Sequence, residues 1–139
     1  MLSNTHFAMA VHVLSALAYN DGRVVGSEDL ARTVGTNPSF LRGLIGQLRE
    51  AGLVETRLGK GGGTVLARPA RRISLLDVYR ATETGPAMRT HECDATLECP
   101  VARNMRPMLD DISSRIEGVV EAELERVTVA ELLAGHVKG

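Results

Sequence analysis

Tryptophan is missing from this chain, and aromatic residues fill only 3% of its 139 positions. A core without large rings must be assembled from Leu, Val, Ile, Ala and Met, which favours packed helices over an aromatic-rich β-sandwich. Cysteine is also scarce. The two present, Cys93 and Cys99, are too few for a disulfide scaffold. No segment approaches the run of about 18 apolar residues needed to span a bilayer, so no membrane partner is expected. His6 and His12 interrupt the first apolar segment, and no basic stretch precedes it, which argues against a secretory signal. The expectation is a cytoplasmic protein with reduced thiols.

Net charge is small as well, at −1, but it is unevenly shared. Residues 1–72 carry nine Lys/Arg against five Asp/Glu, a net of +4, and residues 73–139 carry seven against twelve, a net of −5. A basic front half suits phosphate contact and an acidic back half does not, so a nucleic acid should meet the front. The length suits one compact domain with an appended arm.

The most informative stretch is 27–67. Before it, Phe7, Ala8, Val11, Leu14 and Ala18 recur at helical spacing over 4–19, and Asn20-Asp21-Gly22 closes that helix. Ser27 stands where an N-cap belongs, Glu28 and Asp29 favour the positive end of the dipole, and Gly35 ends a second helix after about two turns. Thr36 or Asn37 caps a third helix, Pro38 suits its first position, and Phe40, Leu41, Leu44, Ile45 and Leu48 form its inward stripe until Ala51-Gly52. A short helix, a tight turn and a longer capped helix make a helix-turn-helix, whose second helix enters the major groove. The residues positioned to touch DNA there are Asn37, Ser39, Arg42, Gln47 and Arg49.

Two β-prone runs follow, Leu53–Arg57 and Thr64–Ala67, joined by Gly59-Lys60-Gly61-Gly62-Gly63. This is a hairpin signal, and a hairpin after a helix-turn-helix is a wing. Arg57, Lys60 and the Gly61 amide are its expected DNA contacts, because a thin glycine tip approaches a phosphate ridge without Cβ clashes. A nucleotide-binding P-loop is excluded, since no Gly lies four residues upstream of the Gly-Lys pair and no Ser/Thr follows Lys60.

Beyond the wing, Ser74 with Asp77 predicts a capped helix through about Thr82 that packs Tyr79 inward. Residues 84–100 read as an irregular loop bearing both cysteines. From Val101 to about Val127 a long helix places Leu109, Ile112, Ile116 and Val119 on an apolar face that needs a partner surface, supplied by a second copy or by packing on the first helix. Thr128 with Glu131 repeats the capping-box spacing and starts a short last helix. The expected organisation is a winged helix-turn-helix over 1–83, a cysteine loop over 84–100, and a dimerisation helix with a short C-terminal helix over 101–139. The fold class is mainly α with one small β-hairpin.

Phe7-Ala-Met-Ala-Val-His-Val-Leu, Ser39-Phe-Leu-Arg, Leu48-Arg-Glu-Ala-Gly-Leu-Val54, Gly61-Gly-Gly, Leu66-Ala-Arg-Pro69 and Ile73-Ser-Leu-Leu-Asp-Val-Tyr79 resemble the BadM/Rrf-type winged-helix transcriptional regulators, the family of IscR and NsrR. His12-Val-Leu-Ser15, Thr36-Asn-Pro38, Ser74–Arg80 and Cys99-Pro-Val101 are most similar to its YwnA-type branch. The resemblance covers nearly the whole chain and implies a homodimer on double-stranded DNA. One departure concerns the wing. Cluster-sensing relatives carry Arg immediately before the wing's first Gly, where this chain has Leu58, with Arg57 one residue earlier. Along a strand, a one-residue shift turns a side chain to the other face.

In cluster-binding relatives three cysteines are spaced by five residues. Cys93 and Cys99 match the first two, but Met105 takes the third place and Met108 falls near a later His ligand. The resemblance therefore implies no stable iron–sulfur cluster unless His91, Glu92 or Asp94 completes one, because such clusters need several strong ligands. Zinc fares no better at this spacing. Three readings of the pair stay open: a reversible disulfide, a bond across a dimer, or thiols without a regulatory role. No nucleophile, base and orienting group occur at motif spacing, so an enzyme is not expected. The leading expectation is a homodimeric DNA-binding regulator, acting as a repressor without a stable iron–sulfur cluster, with a thiol-redox response through Cys93 and Cys99 left open. The alternative is a winged-helix protein-interaction module that does not touch DNA.

Overall fold

The computed structural model describes residues 4–137. In chain order these form α1 (His6–Tyr19), α2 (Ser27–Val34), α3 (Pro38–Glu50), β1 (Val54–Arg57), β2 (Gly63–Leu66), a 3-10 turn (Ala70–Arg72), α4 (Leu75–Thr82), α5 (Pro100–Glu125) and α6 (Val129–His136). The result is a mainly helical winged helix-turn-helix with a long C-terminal helix, as the sequence pattern predicts.

Local signals explain most of the boundaries. Gly35 takes a left-handed φ of 86° at the end of α2, a conformation that Cβ-bearing residues rarely adopt. At the start of α3 the Asn37 side chain accepts a hydrogen bond from the Phe40 amide at 2.8 Å, and Pro38 follows where a missing N–H costs nothing. Both capping boxes form. Ser74 and Asp77 exchange side-chain-to-backbone bonds of 3.0 Å each, and Thr128 and Glu131 do the same at the head of α6.

The cap of α2 differs from expectation. Gly26 is its N-cap and Ser27 its first helical residue, with no side-chain capping bond. The reason lies outside the local sequence: Val25 is drawn into the wing, exchanging backbone bonds with Thr64 (Val25 N–H to Thr64 O 3.0 Å, Thr64 N–H to Val25 O 2.8 Å), which sets where the chain turns into the helix.

The strands are antiparallel, with Val54 opposite Leu66, Thr56 opposite Thr64 and Arg57 opposite Gly63. The return strand begins at Gly63, one residue before the expected start. There a Cβ would lie 2.4 Å from the Val25 carbonyl oxygen, so only glycine allows the wing and the entry to α2 to come this close.

One aliphatic core holds these elements. Val13, Leu14, Leu30, Leu41, Leu48, Leu53, Ile73, Val78 and Val129 are fully or almost fully buried within it. Each contributes about 1.5–3 kcal/mol relative to an exposed side chain. Val129 belongs to the last helix, which packs on α1 and the 3-10 turn. The segments before α4 and before α6 are clipped together, Leu75 N–H donating to Val127 O at 2.8 Å and Val129 N–H to Ile73 O at 2.9 Å. α5 leaves this body and packs on α4. Among the described residues no helix is long and apolar enough to cross a membrane.

Candidate nucleic-acid interface

The exposed side of α3 divides into two faces because its residues advance 100° each. Arg42 and Arg49, seven residues apart, point toward the wing. With Ser27, Arg57, Leu58, Gly59 and Thr64 they line a concavity of about 470 Å³ between α3 and the hairpin. Ser39 and Gln47, with Gly43 between them, line a smaller hollow of about 270 Å³ beside His6 and Phe40. The His6 and Phe40 rings lie 5.1 Å apart and fasten the start of α1 to the start of α3.

Asn37 has structural work to do, since its side-chain oxygen is occupied by the Phe40 amide. Arg49 reaches across to the wing and donates to the Thr56 hydroxyl at 3.2 Å, a strut between the two DNA-facing elements. Sequence spacing does not reveal that link, because it joins residues on different elements. Arg68 is turned back into the protein, donating to the Arg72 carbonyl at 3.3 Å and facing Asp77 at 3.7 Å. Among the described residues, Arg42, Arg49, Arg57 and Lys60 take part in no ion pair. Four exposed cations without protein counterions leave a local positive field suited to a polyanion.

Lys60 and Gly61 sit at the tip of the wing. The turn is closed by Gly62 N–H donating to Gly59 O at 3.0 Å. Gly59 and Gly61 both have left-handed φ, at 90° and 78°, and a Cβ at Gly62 would come within 2.2 Å of the Arg57 carbonyl oxygen. The glycine run thus specifies a set shape rather than slack. Leu58, which stands where cluster-sensing relatives carry Arg, is 95% exposed at the edge of this turn.

α5 presents two contrasting sides. Leu109 and Val120 are half-buried, on the side of the helix that carries the buried Ser113 and is turned to α4. Met108, Ile112, Ile116 and Val119 are exposed, Val119 by 71%. The loop leading into α5 is pinned at its start, where Ala87 N–H donates to the Glu117 carboxylate at 2.7 Å and Met88 N–H to the Ser113 hydroxyl at 3.2 Å. Further along, Cys93 Sγ lies 3.2 Å from His91 Nε2, while Cys99 is exposed and occupies the N-cap of α5 without capping it. Both thiols are free.

A family model described as Rrf2, an iron-dependent transcriptional regulator, matches residues 3–135. The chain belongs to the Rrf2 family. YwnA of Bacillus subtilis, which carries the name of an HTH-type transcriptional regulator, is 29% identical over 130 residues, covering 94% of this chain and 96% of its own. A solved structure from Lactobacillus plantarum, described as a transcriptional regulator, superposes with a TM-score of 0.82 at 26% identity, covering 96% of this chain and 91% of the other. CymR, the global cysteine regulator of B. subtilis, gives a TM-score of 0.70 at 25% identity, with 96% and 98% covered. This Rrf2 protein is accordingly a transcriptional regulator, and its relatives are regulators rather than enzymes.

The family description raises the question of an iron site. Among the described residues of this Rrf2 chain, no three His, Cys, Asp or Glu side chains stand together as a metal site. Cys93, Cys99 and His91 are the thiol and imidazole donors of this loop, and the thioethers of Met105 and Met108 do not replace thiolates.

Proposed function

We propose that this chain is a cytoplasmic, homodimeric repressor that binds a roughly palindromic DNA site through α3 and the wing of each subunit. The observation that carries the reading is the gathering of Arg42, Arg49 and Arg57 around one concavity between those elements, unpaired among the described residues, with Lys60 beyond them on the wing. α3 supplies the part that enters the major groove. Ser39, Arg42 and Gln47 face base edges there, and Arg57, Lys60 and the Gly61 amide hold the sugar-phosphate backbone. Asn37 contributes by capping α3 and offering its free amide nitrogen.

Dimerisation supports the reading from the other side. The apolar stripe of Met108, Ile112, Ile116 and Val119 is left uncovered by the described residues of its own chain, and a second α5 covers it most simply. Pairing sets two recognition helices about one turn of duplex apart. Regulation falls to the thiols rather than to a resident cluster: a peroxide-class oxidant takes up two electrons as Cys93 and Cys99 lose their protons and join in a disulfide, which reshapes the entry to α5 because Cys99 is the cap residue of that helix.

The test is selection of duplexes from a random pool by the purified protein, followed by affinity measured against salt. Specific binding whose logarithm falls steeply with log salt supports the reading. Absence of salt-dependent duplex binding rejects it in favour of a protein-interaction module. Thiol trapping before and after mild oxidant tests the redox part, and free thiols in both samples reject it.

A further inference from the structure

We propose that Leu58 is the residue with which the wing reads DNA, pressing an apolar side chain into the minor groove and selecting a flexible pyrimidine–purine step. This rests on the DNA-binding reading above. Leu58 is 95% exposed, the barest large apolar side chain among the described residues, and the core makes no use of it. A single exposed leucine on an ordinary surface needs no function. This one differs in its setting.

It stands where β1 runs into a turn held rigid by the Gly59–Gly62 hydrogen bond and by the Arg57 carbonyl, against which Gly62 admits no Cβ. It also rims the same concavity as Arg42, Arg49 and Arg57, with Lys60 two residues on. Cations of this kind draw in the phosphate ridges that border a minor groove. The apolar side chain among them is then held against deoxyribose and base edges.

Leucine has no hydrogen-bond donor or acceptor, so it cannot read the donor and acceptor pattern of a base pair. Its discrimination comes from shape and deformability. Apolar wedges favour steps that unstack at little cost, of which TpA is the softest choice and GpC a poor one. The strut from Arg49 to Thr56 fixes the wing relative to α3, so the position of that step is constant within the site.

Duplexes selected from a randomised pool by the wild-type protein provide the probe. Each step of the selected site is changed in turn between TpA and GpC, and affinities are read by fluorescence anisotropy. The wild type is expected to prefer TpA at one position per half-site by about tenfold, the size of a typical single-position effect. Leu58→Ala abolishes that preference without moving the thermal midpoint, and Leu58→Met keeps it. Leu58→Lys steepens the salt dependence by about one unit while losing the preference. Equal preferences in the wild type and Leu58→Ala, or a preference that survives in Leu58→Lys, overturn the proposal. A wild-type protein that selects no duplex overturns the DNA-binding reading and this inference with it, and the failed selection tells the two cases apart.

Discussion

Thr64 and Val25 exchange two backbone hydrogen bonds, of 2.8 and 3.0 Å, and through them the wing is stitched to the residue that precedes the cap of α2. The wing is therefore part of the helix-turn-helix body and not a free flap. Gly63, beside this pair, is the point where a side chain cannot be placed. Gly63→Ala is expected to cost about 1–3 kcal/mol of stability, as other forced overpacking does, and to weaken duplex binding. Urea denaturation and anisotropy titration check both.

Lys60 carries no structural burden, being exposed and outside any ion pair among the described residues. Lys60→Ala should leave the thermal midpoint in place, weaken binding to all duplex sequences alike, and reduce the salt slope by about one unit. An unchanged affinity and slope would remove the wing tip from the interface.

Asn37 separates stability from recognition. Its cap on the Phe40 amide predicts a loss of about 1 kcal/mol in Asn37→Ala, while Asn37→Asp, which keeps the accepting oxygen, restores most of it. Chemical denaturation of the three proteins measures the difference. Because aspartate also sets a negative charge against phosphate, the neutral cap in Asn37→Ser is the variant whose remaining loss of DNA affinity reports on contact rather than folding.

The two sides of α5 predict opposite behaviour. Ile112→Asp or Val119→Asp places a charge on the uncovered stripe and should weaken self-association by roughly 10- to 100-fold, with helix content unchanged, since each large apolar side chain buried there is worth about 1.5–3 kcal/mol. Leu109→Ala acts inside the subunit and should lower its stability instead. Sedimentation velocity and circular dichroism distinguish the outcomes.

Tyr79 makes stability depend on pH in alkaline solution. It is 8% exposed, with its ring edge-on to Phe7 at 6.2 Å. Burial first, and then the carboxylates of Glu117, Glu83 and Glu121, raise its phenol above the usual 10.0. Between the unfolded and folded pKa values the folded chain keeps a proton that the unfolded chain has released. Stability from this group is thus complete below pH 10 and declines as pH rises beyond it. Tyr79→Phe should flatten that decline. The other tyrosine, Tyr19, is 57% exposed, so a phenolate absorbance titration of Tyr19→Phe reads Tyr79 alone.

Features written in a few neighbouring residues were legible in the sequence. Gly35, Pro38 and the pairs Ser74/Asp77 and Thr128/Glu131 announce helix ends because capping chemistry acts within four residues. The glycine run announced the hairpin in the same way. What escaped was set by distant partners: Gly26 caps α2 because Val25 pairs with Thr64, nearly forty residues away, and Arg49 finds Thr56 only once β1 lies beside α3. The candidate site was read in part. Its residue types were visible, but the split of α3 into an Arg42/Arg49 face and a Ser39/Gln47 face depends on where the wing docks.

The clip that joins Ile73–Leu75 to Val127–Val129 gives the molecule an unusual freedom. From the end of α4, whose Val78 stays in the core, the cysteine loop and the long α5 form an excursion that rejoins the DNA-reading platform at the clip. A lineage can lengthen, shorten or re-equip the cysteine loop of that excursion while the packing of α5 on α4 is kept. Conversely, a tug on the arm reaches the platform by two routes, through α4, which packs on α1 and α3, and through the clip that leads into α6.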